Sequence, residues 1–278
     1  MNLLQILVLA LVQGAAELLP VSSSAHVIVA EKLMGLDPTS PQMTLLLVML
    51  HTGTMFAVIV HYWASWRATY FQSAAAFKVN ALNVLVATLA TGVVGLLLLD
   101  VIKRVVAHNA PGFEIEHLFG NARLMAAALA CAGVLIMASS RFGERGGGEL
   151  TLARSATIGA VQGLCLPFRG FSRSGATISA GLSMGVLRKR AEEFSFALAV
   201  VLTPAVIVKE ALRLAKAPAE LAAGGLVHAA GPGLLGMCLS FLAGLAALRW
   251  LSRWLEQDRW HLFGGYCLFA SLVVLLVG

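Results

Sequence analysis

At 278 residues, 59% apolar against 12% charged, the chain carries too little charge to hydrate a water-soluble domain of its size, which leaves an integral membrane protein. The formal charge is +6, but the basic residues are scattered, and the longest run, Arg188 to Arg190, meets Glu192 and Glu193 at once. The excess therefore reads as membrane-flanking charge that favours anionic headgroups or substrates, and no nucleic-acid partner is expected.

A spanning helix needs about 20 apolar residues to cross a core of roughly 30 Å. The first run, Asn2 to Glu17, is broken by polar residues before it reaches that length, and Pro20 and three serines then interrupt it. Irregular backbone at membrane depth needs protein or a watery cavity to satisfy it, so this segment is expected to enter, turn and retreat, with Ser24 to Met34 as its second limb. It lacks a basic leader and is read as part of the mature protein.

Spans follow at about Met43 to Trp63, Asn80 to Leu99 and Arg123 to Ser139. Trp63, Trp66 and Tyr70 suit an interfacial belt, with Arg67 and Lys78 marking a short polar loop. Asp100 to Asn121 reads as a water-facing connection and Gly143 to Glu149 as a flexible joint. The four cysteines, Cys131, Cys165, Cys238 and Cys267, have no pairing or metal spacing and read as small buried residues.

Beyond the joint the first half is replayed. Gln13 and Gln162 lie 149 residues apart, as do Ser23 and Ser172. Leu164 to Gly170 again breaks an apolar run, predicting a second hairpin continued by Gly175 to Val186. Spans at about Phe194 to Val208, Leu234 to Trp250 and His261 to Val277 complete the chain. The expected fold is one all-α polytopic membrane domain over 1–278, with about six full transmembrane helices. Its two inverted-topology repeats, about 1–142 and 150–278, each carry a re-entrant helical hairpin and are joined by a Gly-rich loop, and the site is expected where the two breaks meet.

Candidate chemistry gathers at those breaks. Glu17 follows Gln13 by four residues, which puts both on one helix face, and a carboxylate at membrane depth calls for a cation, a metal or water. Ser22, Ser23 and Ser24 supply more hydroxyls than a helix cap requires, at a helix start suited to an anion. His26 is placed to activate a hydroxyl or protonate a leaving oxygen. In the second break Arg173 supplies a planar cation suited to phosphate, with Ser172, Ser174 and Thr177 as hydrogen-bond donors. A phosphate on a membrane-soluble molecule suits this arrangement.

ELLPVSSSAH, Glu17 to His26, and GFSRSGATIS, Gly170 to Ser179, resemble the two motifs of the bacterial undecaprenyl-diphosphate phosphatase family, also known as bacitracin-resistance proteins. HTGTMFAVIV, His51 to Val60, is similar to a third family segment. The resemblance implies hydrolysis of undecaprenyl diphosphate to the monophosphate and inorganic phosphate, recycling the lipid carrier of cell-wall synthesis. It implies a divalent cation, Mg2+ or Ca2+, held by Glu17 and Gln13, and catalytic roles for Glu17, Ser23, His26 and Arg173. Gln13, Ser22, Ser24, Ser172, Ser174 and Thr177 would help bind the substrate. It also implies a homodimer in the bacterial inner membrane with the site open to the periplasm. The nucleophile is left open among Ser23 activated by His26, His26 itself and a water held by Glu17. In two places this sequence departs from the family pattern: Gln13 stands where glutamate is frequent, and Arg169 stands where the second motif has proline. Arg169 either re-aims the turn or adds a second phosphate-binding cation. A carrier that moves a prenyl phosphate on the same scaffold is the rival expectation, and the hydroxyl, histidine and acid cluster is what binding alone would not demand.

Overall fold

The computed structural model describes residues 2–36, 41–105, 121–142, 148–215 and 225–277. Among them every regular element is a helix: α1 (Leu3–Leu18), α2 (Ser23–Leu33), α3 (Pro41–Tyr70), α4 (Ala74–Val105), α5 (Ala122–Ser139), α6 (Leu152–Cys165), α7 (Arg173–Ser183), α8 (Arg188–Ala215), α9 (Gly225–Glu256) and α10 (Trp260–Val277).

Local chemistry sets the first hairpin. Asn2 opens α1 with a capping box, its side chain accepting from the Gln5 amide at 2.8 Å while the Gln5 side chain accepts from the Asn2 amide at 2.9 Å. Pro20 closes it, because a residue before proline is driven out of the helical region, and Leu19 is extended at φ −77°, ψ 152°. At 16 and 11 residues, α1 and α2 are too short to cross the bilayer at about 1.5 Å per residue. The same holds for α6 and α7, of 14 and 11 residues. Both expected hairpins are present as re-entrant pairs.

Three long helices follow each hairpin. Met43–Tyr70, Ala74–Val105, Ala122–Ser139, Gly231–Glu256 and Trp260–Val277 are long and apolar enough to span a membrane. The remaining long helix, α8, has 28 residues and is buried continuously from Ala191 to Ala199, so its polar groups meet protein and not lipid. Three crossings separate the two hairpins, and an odd number brings the second copy in from the opposite face, which is the inverted arrangement.

The halves interleave. The first hairpin's α1 packs on α9, and its counterpart α6 packs on α4, while α3 meets α8 and α5 meets α10. Two glycines 149 residues apart permit the equivalent close approaches: a Cβ on Gly14 would lie 2.7 Å from the Ser240 carbonyl oxygen, and one on Gly163 would lie 2.7 Å from that of Thr91.

Several expectations need correction. Trp66 and Tyr70 are buried and do not form an interfacial belt: Trp66 Nε1 donates to the Glu193 carbonyl and the Arg190 guanidinium lies over the Tyr70 ring, whereas Trp63 is exposed. Arg67 and Lys78 lie within α3 and α4 and not in the loop between them. Cys131 and Cys238 face outward, and only Cys165 and Cys267 are buried. The connection after Asp100 begins as helix through Val105; the rest of it, 106–120, and most of the Gly-rich joint, 143–147, lie outside the described residues.

Candidate active site

The two breaks meet. After Pro20 the backbone passes through Ser22 at φ 66°, a left-handed conformation rare outside glycine, and α2 begins at the next residue. That turn brings the Ser23 hydroxyl back onto α1, where it donates to the Glu17 carboxylate at 2.5 Å. Gln13 Nε2, one helical turn earlier, donates to the same carboxylate at 3.2 Å.

The second hairpin supplies the cation. Gly170, at φ 99°, turns the chain, and Ser172 caps α7 by accepting from the Gly175 amide at 3.1 Å. Arg173, the first residue of α7, places Nη2 3.3 Å from Glu17 Oε1, whereas its Nη1 is buried without a protein partner among the described residues. The tips are also tied through backbone: Gly170 N donates to Ser24 Oγ at 3.4 Å, and Ser174 Oγ donates to the Leu19 carbonyl at 3.4 Å.

Between the tips lies a cavity of about 110 Å³ whose polar lining includes Glu17, Ser22, Ser23, Ser24, Ser172 and Arg173. The starts of α2 and α7 both line it, so two positive helix ends converge on one small polar space, an arrangement that favours an anion. A neighbouring cavity of about 220 Å³ shares Glu17, Ser24, Phe171 and Arg173 and is lined in addition by His51, Arg169 and the apolar side chains of Leu166, Phe168 and Leu202.

Not every predicted residue converges there. Ser22 Oγ is 3.3 Å from Ser24 Oγ and stays at the cavity wall, as does Ser174. Thr177 does not join it: the residue is fully buried, its hydroxyl 2.8 Å from the Arg173 carbonyl and 2.6 Å from Ser195 Oγ. His26 turns away from Ser23. Its Nδ1–H donates to the Ser22 carbonyl at 2.8 Å, and its Nε2 lies 2.7 Å from the Tyr266 hydroxyl, with the two rings stacked at 5.6 Å. Gln162, the counterpart of Gln13, is wholly buried and donates to Thr91 at 3.1 Å, a structural role.

Two participants carried no role in the sequence reading. His51 places Nε2 3.8 Å from Glu17 Oε2 from the middle of α3, and a histidine inside an apolar span was the available signal. Tyr266 reaches His26 from α10, and nothing local in the sequence marks it.

Among the described residues no cluster of three or more His, Cys, Asp or Glu side chains is gathered tightly enough to cage a metal ion. The oxygen donors at the site are the Glu17 carboxylate, the Ser23 hydroxyl and the Gln13 amide, whose nitrogen faces Glu17. A hard divalent cation takes several oxygens and, for Mg2+, commonly one or two carboxylates completed by substrate phosphates. The set therefore fits an ion shared with a phosphorylated ligand.

Comparison with known proteins gives a consistent picture. A family model described as bacitracin resistance protein BacA matches residues 6–273. The chain is 62% identical over 281 residues to undecaprenyl-diphosphatase 2 of Acinetobacter baylyi, covering 99% of this chain and 98% of that protein. It is 33% identical over 290 residues to undecaprenyl-diphosphatase 1 of Burkholderia pseudomallei, covering 99% and 96%. With the undecaprenyl-diphosphatase of Rhodopirellula baltica it shares 29% over 280 residues, covering 99% and 98%.

Proposed function

Because the chain belongs to the bacitracin resistance protein BacA family, we propose that its paired hairpins hydrolyse undecaprenyl diphosphate to undecaprenyl phosphate and inorganic phosphate, recycling the lipid carrier of cell-wall synthesis. The observation that carries this reading is the Glu17, Ser23 and Arg173 cluster, in which a nucleophile, a base and a phosphate-binding cation share one cavity and Arg173 Nη1 has no protein partner. A carrier would need the cation but not the short contact between hydroxyl and carboxylate, and the relatives' names give the carrier reading no support.

The cluster suits a two-step displacement. Ser23 Oγ attacks the terminal phosphorus as its proton passes to the Glu17 carboxylate. The bridging P–O bond breaks, and its electron pair leaves on the undecaprenyl phosphate, which takes the proton from Glu17. Water then attacks the phosphoserine while Glu17 accepts one of its protons. The P–Oγ bond breaks, Ser23 regains a proton from Glu17, and inorganic phosphate departs. Arg173 and the two helix starts stabilise the charge on the phosphoryl oxygens throughout. His26, held by Ser22 and Tyr266, orients the first turn of α2. The divalent cation, Mg2+ or Ca2+, would be held by Glu17 with Gln13 beside it, and when bound it supplies further neutralisation of phosphoryl charge.

The opening of the site to the periplasmic side of the inner membrane belongs to the same proposal on the strength of the family resemblance, because basic residues flank the helices on both faces and the positive-inside rule does not fix the orientation. The homodimer belongs to the same proposal on the strength of the family resemblance, and light scattering of the detergent-solubilised protein tests it.

Phosphate release from a prenyl diphosphate by purified protein tests the reaction. Rapid quenching with labelled substrate should leave label on Ser23. Turnover with no label on the protein would exclude the serine route in favour of direct attack by water, and absence of release together with lipid translocation in vesicles would overturn the phosphatase reading.

A further inference from the structure

Glu31 is a buried carboxylate that the chemistry above does not use. Near the end of α2, it is 2% exposed, and its Oε1 has no hydrogen-bond partner among the described residues. An ionised carboxylate in that state is costly unless an opposite charge attends it. Among the described residues the opposite charge acting on it is that of Arg169, at the tip of the other hairpin beside left-handed Gly170. Arg169 in turn lines the larger cavity together with Glu17, Ser24, His51 and Arg173.

One hairpin tip therefore sets two guanidinium groups, four residues apart, on a single cavity. Arg173 lies 3.3 Å from Glu17, and the positive charge of Arg169 offsets part of the larger cost of burying the Glu31 carboxylate. The substrate class carries two phosphoryl groups. Arg173 stands beside Ser23 and Glu17, where the terminal phosphoryl is attacked. Arg169 lines the larger cavity but not the smaller one, and it shares the larger one with the apolar side chains of Leu166, Phe168 and Leu202, which suit an attached prenyl chain.

We propose that Arg169 is a second substrate-binding residue, which grips the lipid-side phosphoryl group, and that Glu31 is its positioning residue. This rests on the diphosphatase reading and deepens it. Two arginines, one per phosphoryl, distinguish a prenyl diphosphate from a ligand with a single phosphate. The lipid monophosphate keeps the phosphoryl that Arg169 holds, whereas inorganic phosphate takes away the one that Arg173 holds.

The test is steady-state kinetics on farnesyl diphosphate with Arg169→Gln, Arg169→Lys, Glu31→Gln and the double variant Arg169→Gln/Glu31→Gln. Arg169→Gln should raise KM about tenfold with little change in kcat. It should weaken inhibition by farnesyl monophosphate by a similar factor and leave inhibition by inorganic phosphate unchanged, with Arg169→Lys falling between. Glu31→Gln should raise KM in the parent but add nothing in the Arg169→Gln background, because it acts through that side chain. An unchanged KM, or equal weakening toward inorganic phosphate, would overturn the role of Arg169, and an additive double variant would overturn that of Glu31. Calorimetric binding of farnesyl diphosphate to the same variants applies the same criteria without turnover. If the parent releases no phosphate but Arg169→Gln still weakens binding tenfold, the diphosphatase reading fails and the binding role stands.

Discussion

Glu17 is contacted from four directions, by Gln13 of its own helix, Ser23 of α2, His51 of α3 and Arg173 of α7. Its carboxylate is the point where both halves and both charges meet, so Glu17→Gln, which keeps the size and removes the base, should lower phosphate release by about 10²–10⁴-fold. Thermal unfolding in detergent checks that the variant remains folded. Gln13 is different, because its amide supports Glu17 and holds no charge of its own. Gln13→Glu should change turnover modestly while lowering the Mg2+ or Ca2+ concentration that restores activity after chelation, since a second carboxylate then faces the ion; a metal titration of phosphate release reads this directly. These residues were legible because acids, hydroxyls and an arginine stand out inside apolar runs. The aim of His26 was not. Three residues past Ser23 it would be expected near the same space, but Tyr266, from the far end of the chain, draws its ring toward α10. Thr177 was equally misleading, because a hydroxyl one turn into a helix serves the backbone and a neighbouring serine as readily as a ligand.

At the level of elements, the hairpin tips carry the backbone strain. Gly170 combines φ 99° with close approach to the Met125 carbonyl of α5, leaving a methyl group neither a favourable conformation nor space. Gly170→Ala should therefore cost roughly 1–3 kcal/mol, seen as a lower midpoint of thermal unfolding, and should lower turnover as the amide that meets Ser24 shifts. Both hairpins were readable from proline and serine interrupting runs too short to cross a bilayer. The burial of Trp66 and Tyr70 was not, because the groups that receive them, Glu193 and Arg190, belong to α8. An aromatic residue near the end of a span looks interfacial until its partner from the other half is known. In α8 a span from about Phe194 was readable, but the burial of Glu192 and Glu193 just before it was not, because the groups that receive them lie on other helices.

For the whole molecule, the packing of α1 on α9 and of α6 on α4 means that each half leans on the other to cover its hairpin, beyond the contacts α1 makes with α3 and α7 with α8. Segments 1–142 and 150–278 expressed separately should each be unstable and inactive, whereas co-expression should let them co-purify and recover measurable phosphate release; an active half on its own would contradict the interleaving. The repeat spacing of 149 residues announced this relationship, but not which helix shields which hairpin, since that depends on contacts between distant parts of the chain. The tip-to-tip meeting of the hairpins has a consequence for stoichiometry. By repeat spacing, the position equivalent to Glu17 is Leu166 and the position equivalent to Arg173 is Ser24, so at these paired positions one arm carries the acid and the other the cation. A frame close to twofold could have housed a matched pair of reaction centres; divided in this way, acid from one arm and base cation from the other, it houses a single one, and each polypeptide processes one carrier molecule at a time.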